Sequence, residues 1–333
     1  MKKVILFALS VCLTISLYSQ TETNLDVYVE GFISDGMDKE PVCWKNGKLY
    51  HFTNSDSLSN KSYVGMAIED GEIYSCFRHC NKDRHGYPHG CRACIYKEGQ
   101  LLYSYDIPSS SYICSMAVLN GNVFCGMKRD GSNGYIAEYS LVKNNRYDER
   151  KKDCGEFIIS KDGILCYSKN RAYYRGITGY VIGGQEFSLN YKLNNNNETE
   201  YKEMRLIDEN VCFIGHNTEY PYVDFIQINT GNKILFEKEE YCKDITKAGD
   251  KLYVNVSGVI RSLTDKTDVV PLPSEYSPIR IVGKNNNLYI LCSKKEGALN
   301  KYFVFLYNVS AKNISSYKLN GCSDAFDLII VEK

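Results

Sequence analysis

Net charge, long apolar runs and helical periodicity are all missing from this chain, and each absence removes a class of answer. Forty basic residues are cancelled by forty acidic ones, so no overall field draws the protein to nucleic acid or to an anionic membrane. Beyond the first twenty residues no run approaches the roughly 20 consecutive apolar residues of a membrane-spanning helix, so no transmembrane segment is expected in the mature chain. No stretch of ten or more residues keeps helical spacing, and helices should be almost absent. Common catalytic signatures are missing too: there is no Gly-x-Ser-x-Gly elbow, phosphate-binding glycine loop, His-Glu-x-x-His pair or dinucleotide fingerprint. No cofactor and no resident metal is implied. Tryptophan is down to one and proline to seven, whereas tyrosine reaches 28, a balance that suits strands, where aromatic and β-branched side chains pack on a pleated surface.

Residues 1–20 read as a secretion signal. Lys2 and Lys3 begin it, Val4 to Leu17 is apolar, and Ser16 to Gln20 is small or polar, the layout of a leader cleaved on export. The mature protein, residues 21–333, is then a single exported domain in the periplasm, on the cell surface or outside the cell.

What is present is a repeat. Each unit has a short apolar strand, a turn of the Asn-Gly or Asp-Gly kind, and a second strand carrying an aromatic residue or cysteine. Alignment on that residue gives Tyr28, Tyr74, Phe124, Cys166, Cys212, Tyr253 and Tyr289, spaced 36 to 50 residues apart, the period of a four-stranded propeller blade. Tight turns are marked by Asn46-Gly47, Asp70-Gly71, Asn120-Gly121 and Asp162-Gly163, with Glu209-Asn210, Gly249-Asp250 and Asn285-Asn286 as weaker copies; two-residue hairpin loops need φ > 0 at both positions. The front of the chain supplies only second, third and fourth strands, and Asp324 to Val331 reads as a lone first strand. Joining them closes a ring and removes the exposed edge. The fold is therefore all-β, a seven-bladed β-propeller of four-stranded antiparallel blades. The sixth unit, Tyr241 to Pro273, is short in its third and fourth strands, and without it the count is six.

Val42-Cys43-Trp44-Lys45-Asn46-Gly47-Lys48-Leu49, preceded by Tyr28-Val29-Glu30-Gly31, resembles a repeat family of secreted bacterial β-propellers with Trp-Lys-Asn-Gly repeats. Cys94-Ile95-Tyr96-Lys97-Glu98-Gly99 is a looser copy, and the resemblance covers about the first third of the chain. That family is largely of unassigned function, so the resemblance implies the fold and assigns no catalytic residue.

Of the fourteen cysteines, Cys12 lies in the leader. Cys114, Cys154, Cys242 and Cys322 recur in first strands and Cys125, Cys166, Cys212 and Cys292 in second strands, which is how small buried apolar side chains recur. The irregular stretch is Cys76 to Cys94, with four cysteines and with His79, His85 and His89. A hairpin symmetric about its loop sets Cys80 opposite Cys91, within disulfide reach; free thiols and a zinc site built on Cys91-x-x-Cys94 remain open alternatives.

Loops between second and third strands should gather on one face. That face collects Arg78, Arg84, His85, His89, Lys128, Arg129, Arg171 and His216, a modest basic excess suited to an anionic carbohydrate or an envelope protein. Asp35, Asp38, Asp130 and Glu219 are the acids available there. The expected function is a non-enzymatic binding module of the cell envelope. The alternative is an enzyme, a lyase or glycoside hydrolase, acting on polysaccharide in the central funnel.

Overall fold

A computed structural model describes residues 24–35, 38–50, 61–130, 137–144, 146–152, 154–161, 163–171, 176–189, 199–217 and 223–333. The expected leader, Asn194 to Asn197, Arg175 and Glu219 lie outside the described residues. Seven antiparallel sheets follow one another along the chain. Their first strands are, from blade one to blade seven, Cys322–Glu332, Lys61–Glu69, Ser111–Leu119, Cys154–Lys161, Thr199–Ile207, Cys242–Ala248 and Tyr276–Lys284. Each first strand touches the first strands of both neighbouring blades, and the series closes on itself. First strands therefore surround a common axis, and the later strands of each blade run outward from it.

Closure is as expected. Cys322–Glu332 pairs with Leu25–Asp35, from Leu25↔Glu332 to Ile33↔Cys322, and Asp38–Lys45 and Lys48–Tyr50 complete blade one. The single tryptophan locks the joint: Trp44 is fully buried and its Nε1 donates to Asn320 O at 3.1 Å. Blade six has three strands in its sheet, Cys242–Ala248, Lys251–Val256 and Val259–Ser262. The fourth place is held by residues 268–270, through an Arg261↔Val269 bridge and bonds from Ser262 N to Asp268 O and from Val270 N to Ile260 O, both 2.9 Å. The ring thus has seven blades. No helix occurs among the described residues.

The turns behave as their residues require. Asn46, Asp70 and Asn120 have φ of 51 to 52°, and the glycines after them 69 to 77°. In blade five the turn falls at Asp208-Glu209, one residue earlier than Glu209-Asn210. Asp208 takes φ 53°, and Asn210 begins the next strand, its Oδ1 accepting from Asn229 Nδ2 at 2.7 Å. Because strands alternate in direction, the turns between strands one and two and between three and four lie on one face, the turn face. The loops between strands two and three and the links between blades lie on the other, the connector face.

One irregularity recurs in all seven blades: where the first strand pairs with the second, the first strand carries extra residues. They are Phe326, Val64, Cys114, residues 155–157, Lys202, Lys243 and Ile279. A bulge bends its strand and increases local twist, and here it falls on the strand that must curve around the axis. It also corrects one expectation. Cys242 and Cys322 in first strands and Cys125, Cys166, Cys212 and Cys292 in second strands are buried, but Cys114 is exposed because it is the bulged residue of its strand. The Cys154 side chain lies outside the described residues. Burial pushes the thiols of Cys166, Cys212 and Cys242 up to about 12, so they are filler rather than nucleophiles.

Blades approach so closely near the axis that two glycines have no room for a side chain. A Cβ on Gly126 would lie 1.6 Å from Gly155 O of blade four, and one on Gly283 would lie 1.7 Å from Lys247 O of blade six. Gly283→Ala is expected to destabilise the ring by about 1–3 kcal/mol or more through overpacking. Ser277→Ala, at an exposed site of the same strand, should stay within about 0.5 kcal/mol. Denaturant midpoints of the two variants check this.

Candidate functional site

Among the described residues, polar and titratable groups gather at several places, of which the axis and the hairpin of blade two come first.

At the axis, blades five, six, seven and one are joined by a chain of charges. Arg205 donates from Nε to Asp244 Oδ1 at 3.0 Å and from Nη1 to Glu203 Oε2 at 2.5 Å. Arg280 reaches Asp244 Oδ1 from Nη1 at 2.6 Å and Asp327 Oδ1 from Nε at 2.7 Å. Asp244 Oδ2 accepts the Ile281 amide at 2.9 Å. Burial by itself would push the Asp244 carboxyl up; Arg280, Arg205 and that amide override it and hold it below its ordinary value. Arg280 therefore ties three blades, and the acids it holds are committed to structure.

Glu30, on the second strand of blade one, is 3 % exposed, and no donor reaches its Oε1. Its carboxyl is pushed up to about 8, first by burial and then by the neighbouring charge of Asp327. The folded protein therefore holds this proton at neutral pH, whereas the unfolded chain releases it near 4.5. Stability contributed here is full below pH 4.5 and declines as pH rises towards 8.

The second and third strands of blade two run Glu72–Lys82 and Pro88–Lys97, so the ladder continues past Cys80 and Cys91 to the loop. Phe77 faces Cys94, and Cys80 is joined to Cys91 by a disulfide with Cα atoms 4.1 Å apart. Among the described residues no group of three or more His, Cys, Asp and Glu side chains converges to hold a metal. Only residues 83–87 are left as loop, and they are tightly bound. Asp83 Oδ1 accepts the amides of His85 at 2.8 Å and Tyr87 at 2.9 Å, and Gly86 turns the chain at φ 84°. Tyr87 stands 70 % exposed at the tip.

The candidate residues are placed differently from one another. Arg84, His85 and His89 are exposed on this hairpin, with Arg84 Nε donating to His85 Nε2 at 3.0 Å. Arg78 is drawn inward: its Nη2 donates to Ser109 O at 2.7 Å and its guanidinium lies 4.9 Å from the centre of the Tyr112 ring, so it pins the link to blade three. Lys128 is half-buried and Arg129 exposed at the end of the second strand of blade three. The backbone of Arg171 pairs with Gly176, and its side chain lies outside the described residues, as do those of Asp35, Asp38 and Asp130. His216 is tied to buried Asp224, Nδ1 to Oδ1 at 2.8 Å; Lys202 holds the same oxygen at 3.0 Å, and the Cys242 amide donates to Oδ2 at 2.9 Å. This cluster fastens blade five to blade six.

Sequence reasoning missed the flank of the hairpin. A cavity of about 440 Å³ is lined there by His79, Asn81, Gly90, Cys91, Arg92, Asp106 and Ile107, and Arg92 Nε pairs with Asp106 Oδ1 at 2.8 Å. Asp106 belongs to the fourth strand, Gln100–Asp106, and only register brings it opposite Arg92. Tyr87 was legible in principle, as an aromatic set between Gly86 and Pro88 in a loop.

Two outcomes follow. Glu30→Gln should leave stability nearly unchanged at pH 4.5 and raise it at pH 8 by an amount on the order of 4 kcal/mol; parallel denaturation curves at the two pH values measure it. The pair Cys80→Ser, Cys91→Ser should cost about 2–3 kcal/mol through lost loop constraint, with proteolytic nicking of unfolding-competent molecules appearing first between residues 80 and 91.

No family model matches the sequence, and no curated protein matches it. Among solved structures the chain is similar to a prolyl endopeptidase from a structural and mechanistic analysis of two such enzymes and their inter-domain dynamics, with TM-score 0.52 and 10 % identity over 88 % of this chain and 49 % of that one. It also matches an acylaminoacyl peptidase of Pyrococcus horikoshii, uncomplexed, at TM-score 0.39 and 7 % identity over 77 % of this chain and 59 % of that one. The chain thus spans about half the length of the prolyl endopeptidase, and at 10 % identity the likeness to that enzyme is one of fold alone.

Proposed function

We propose that this protein is an exported, non-enzymatic propeller that binds an envelope protein through the hairpin of blade two on its connector face. The observation that carries the reading is the Cys80–Cys91 disulfide at the base of an exposed, internally capped loop. A disulfide of this kind belongs to an oxidising compartment, in keeping with a cleaved leader. A loop already held in one conformation loses little entropy when a partner docks.

The loop's composition supports a protein as partner. Tyr87 and Arg84 are residue types that dominate binding energy at protein interfaces, and Tyr87 presents its ring to solvent with its amide already satisfied. Binding is favoured over acid–base chemistry because Asp244 and Asp327 are each paired with arginine and Glu30 is buried beyond a substrate's reach.

Site-specific photocrosslinking in the native cell tests the reading. A crosslinker replacing Tyr87 should give one discrete adduct that is absent when the crosslinker replaces Leu102, an exposed residue on the outer strand of the same blade. Adding Cys80→Ser and Cys91→Ser should weaken the Tyr87 adduct severalfold. The same adduct from both positions, or none from Tyr87, would count against a partner at this hairpin.

A further inference from the structure

A second cavity of about 440 Å³ opens on the turn face, opposite the hairpin. It is lined by Lys161, Ile207, Asp208, Lys247, Gly249, Gly283, Lys284, Asn285 and Asn286. These residues come from the inner ends of blades four, five, six and seven, where first strands run into their turns. Since first strands ring the axis, the cavity is one side of the axial mouth. We propose that this mouth is a binding site for a compact, multiply anionic sugar, bearing sulfate or carboxylate groups.

Three observations carry the proposal. The first is charge. Three lysines line the cavity, and the acids beside them are Asp208, in the lining, and Glu332, paired with Lys284, which leaves an excess of one positive charge. Lys161 Nζ reaches Leu206 O at 3.5 Å, Lys247 Nζ pairs with Asp208 at 2.7 Å, and Lys284 Nζ pairs with Glu332 at 2.9 Å. An ammonium has three N–H donors, so every lysine keeps donors to spare.

The second is the kind of polar group beside them. Asn285 and Asn286 are exposed and their side-chain amides can both donate and accept, which suits hydroxyls as well as anions. The Asn285 backbone is held by the bond from Gly249 N to its carbonyl, 2.5 Å, and its φ of 54° is that of a tight turn. These donors therefore stand on fixed backbone. Gly283, which admits no Cβ, brings blades six and seven close enough for Lys247 and Lys284 to share the mouth.

The third is asymmetry. On the far side of the same ring, Glu69 spends both carboxylate oxygens on the Asn120 and Gly121 amides of the next turn. The lysines that line the mouth come from blades four, six and seven, one arc of the ring, and a ligand of about the size of one or two sugar rings suits a pocket of this volume.

This site is independent of the connector-face reading, and the test keeps the two apart. The probe is a trisulfated heparin disaccharide, with the unsulfated disaccharide as comparison, titrated calorimetrically into the full mature chain at low salt. Saturable binding at one per chain is expected for the sulfated probe, at least tenfold tighter than for the unsulfated one. Lys161→Ala with Lys284→Ala should weaken it tenfold or more, and Arg84→Ala with Arg129→Ala, on the connector face, should leave it unchanged. If the lysine variant fails to fold, Asn285→Asp with Asn286→Asp places repelling charges in the same mouth and should weaken binding to the same degree. Absence of saturable binding, equal affinity in the turn-face variants, or loss in the connector-face variant would each overturn the proposal, whatever the crosslinking at Tyr87 gives.

Discussion

The ring rests on one pairing, that of Cys322–Glu332 with Leu25–Asp35. Every other strand neighbour is close in sequence and can form locally, whereas this one must bring together residues about three hundred positions apart and close a large loop. Until it forms, blade one lacks its inner strand. The joint is reinforced by groups that act only when it is closed: Trp44 Nε1 donating to Asn320 O, Ser323 Oγ donating to Phe32 O at 2.9 Å, and Arg280 reaching from blade seven to Asp327.

Around the axis the fold resolves a conflict between closeness and charge. Blades approach until backbone meets backbone at Gly126 and Gly283, yet the same zone holds Glu203, Arg205, Asp244, Arg280 and Asp327. Taking such groups out of water costs several kcal/mol per ion unless each is matched. Here each guanidinium bridges two carboxylates, and Asp244 collects backbone amides as well. Removing one member would strand the others, so the chain of charges fixes which blade meets which. Glu30 solves the same problem by staying protonated. The recurring bulge supplies the curvature that lets seven first strands share one axis.

The two faces of the ring are built differently. On the connector face, a disulfide and the Asp83 carboxylate hold one hairpin in shape, with an aromatic residue at its tip. On the turn face, short turns bring lysines from blades four, six and seven and the amides of Asn285 and Asn286 to a shared mouth. The first is a protruding feature and the second a recess, and the two proposed partners differ in size accordingly. The basic excess expected on the connector face is partly consumed by structure, since Arg78 pins an inter-blade link and His216 belongs to the Asp224 cluster.

The blade is legible along the chain. A turn pair such as Asp70-Gly71 needs left-handed φ, an alternating strand needs one face buried, and a period of 36 to 50 residues leaves one sheet per unit; these are local requirements, readable along the chain. Pairing of Cys80 with Cys91 was readable for the same reason, because hairpin symmetry is local. Contacts between blades are not legible in this way. Nothing near Arg280 in sequence announces Asp244 or Asp327, nothing near Lys161 announces Lys284, and Cys114 is exposed because a bulge turns it out of a strand whose pattern suggests burial. Side chains from different blades meet only once the ring is closed, and the angle at which blades pack, set by twist, bulges and missing Cβ atoms, is a property of the whole ring that no single repeat contains.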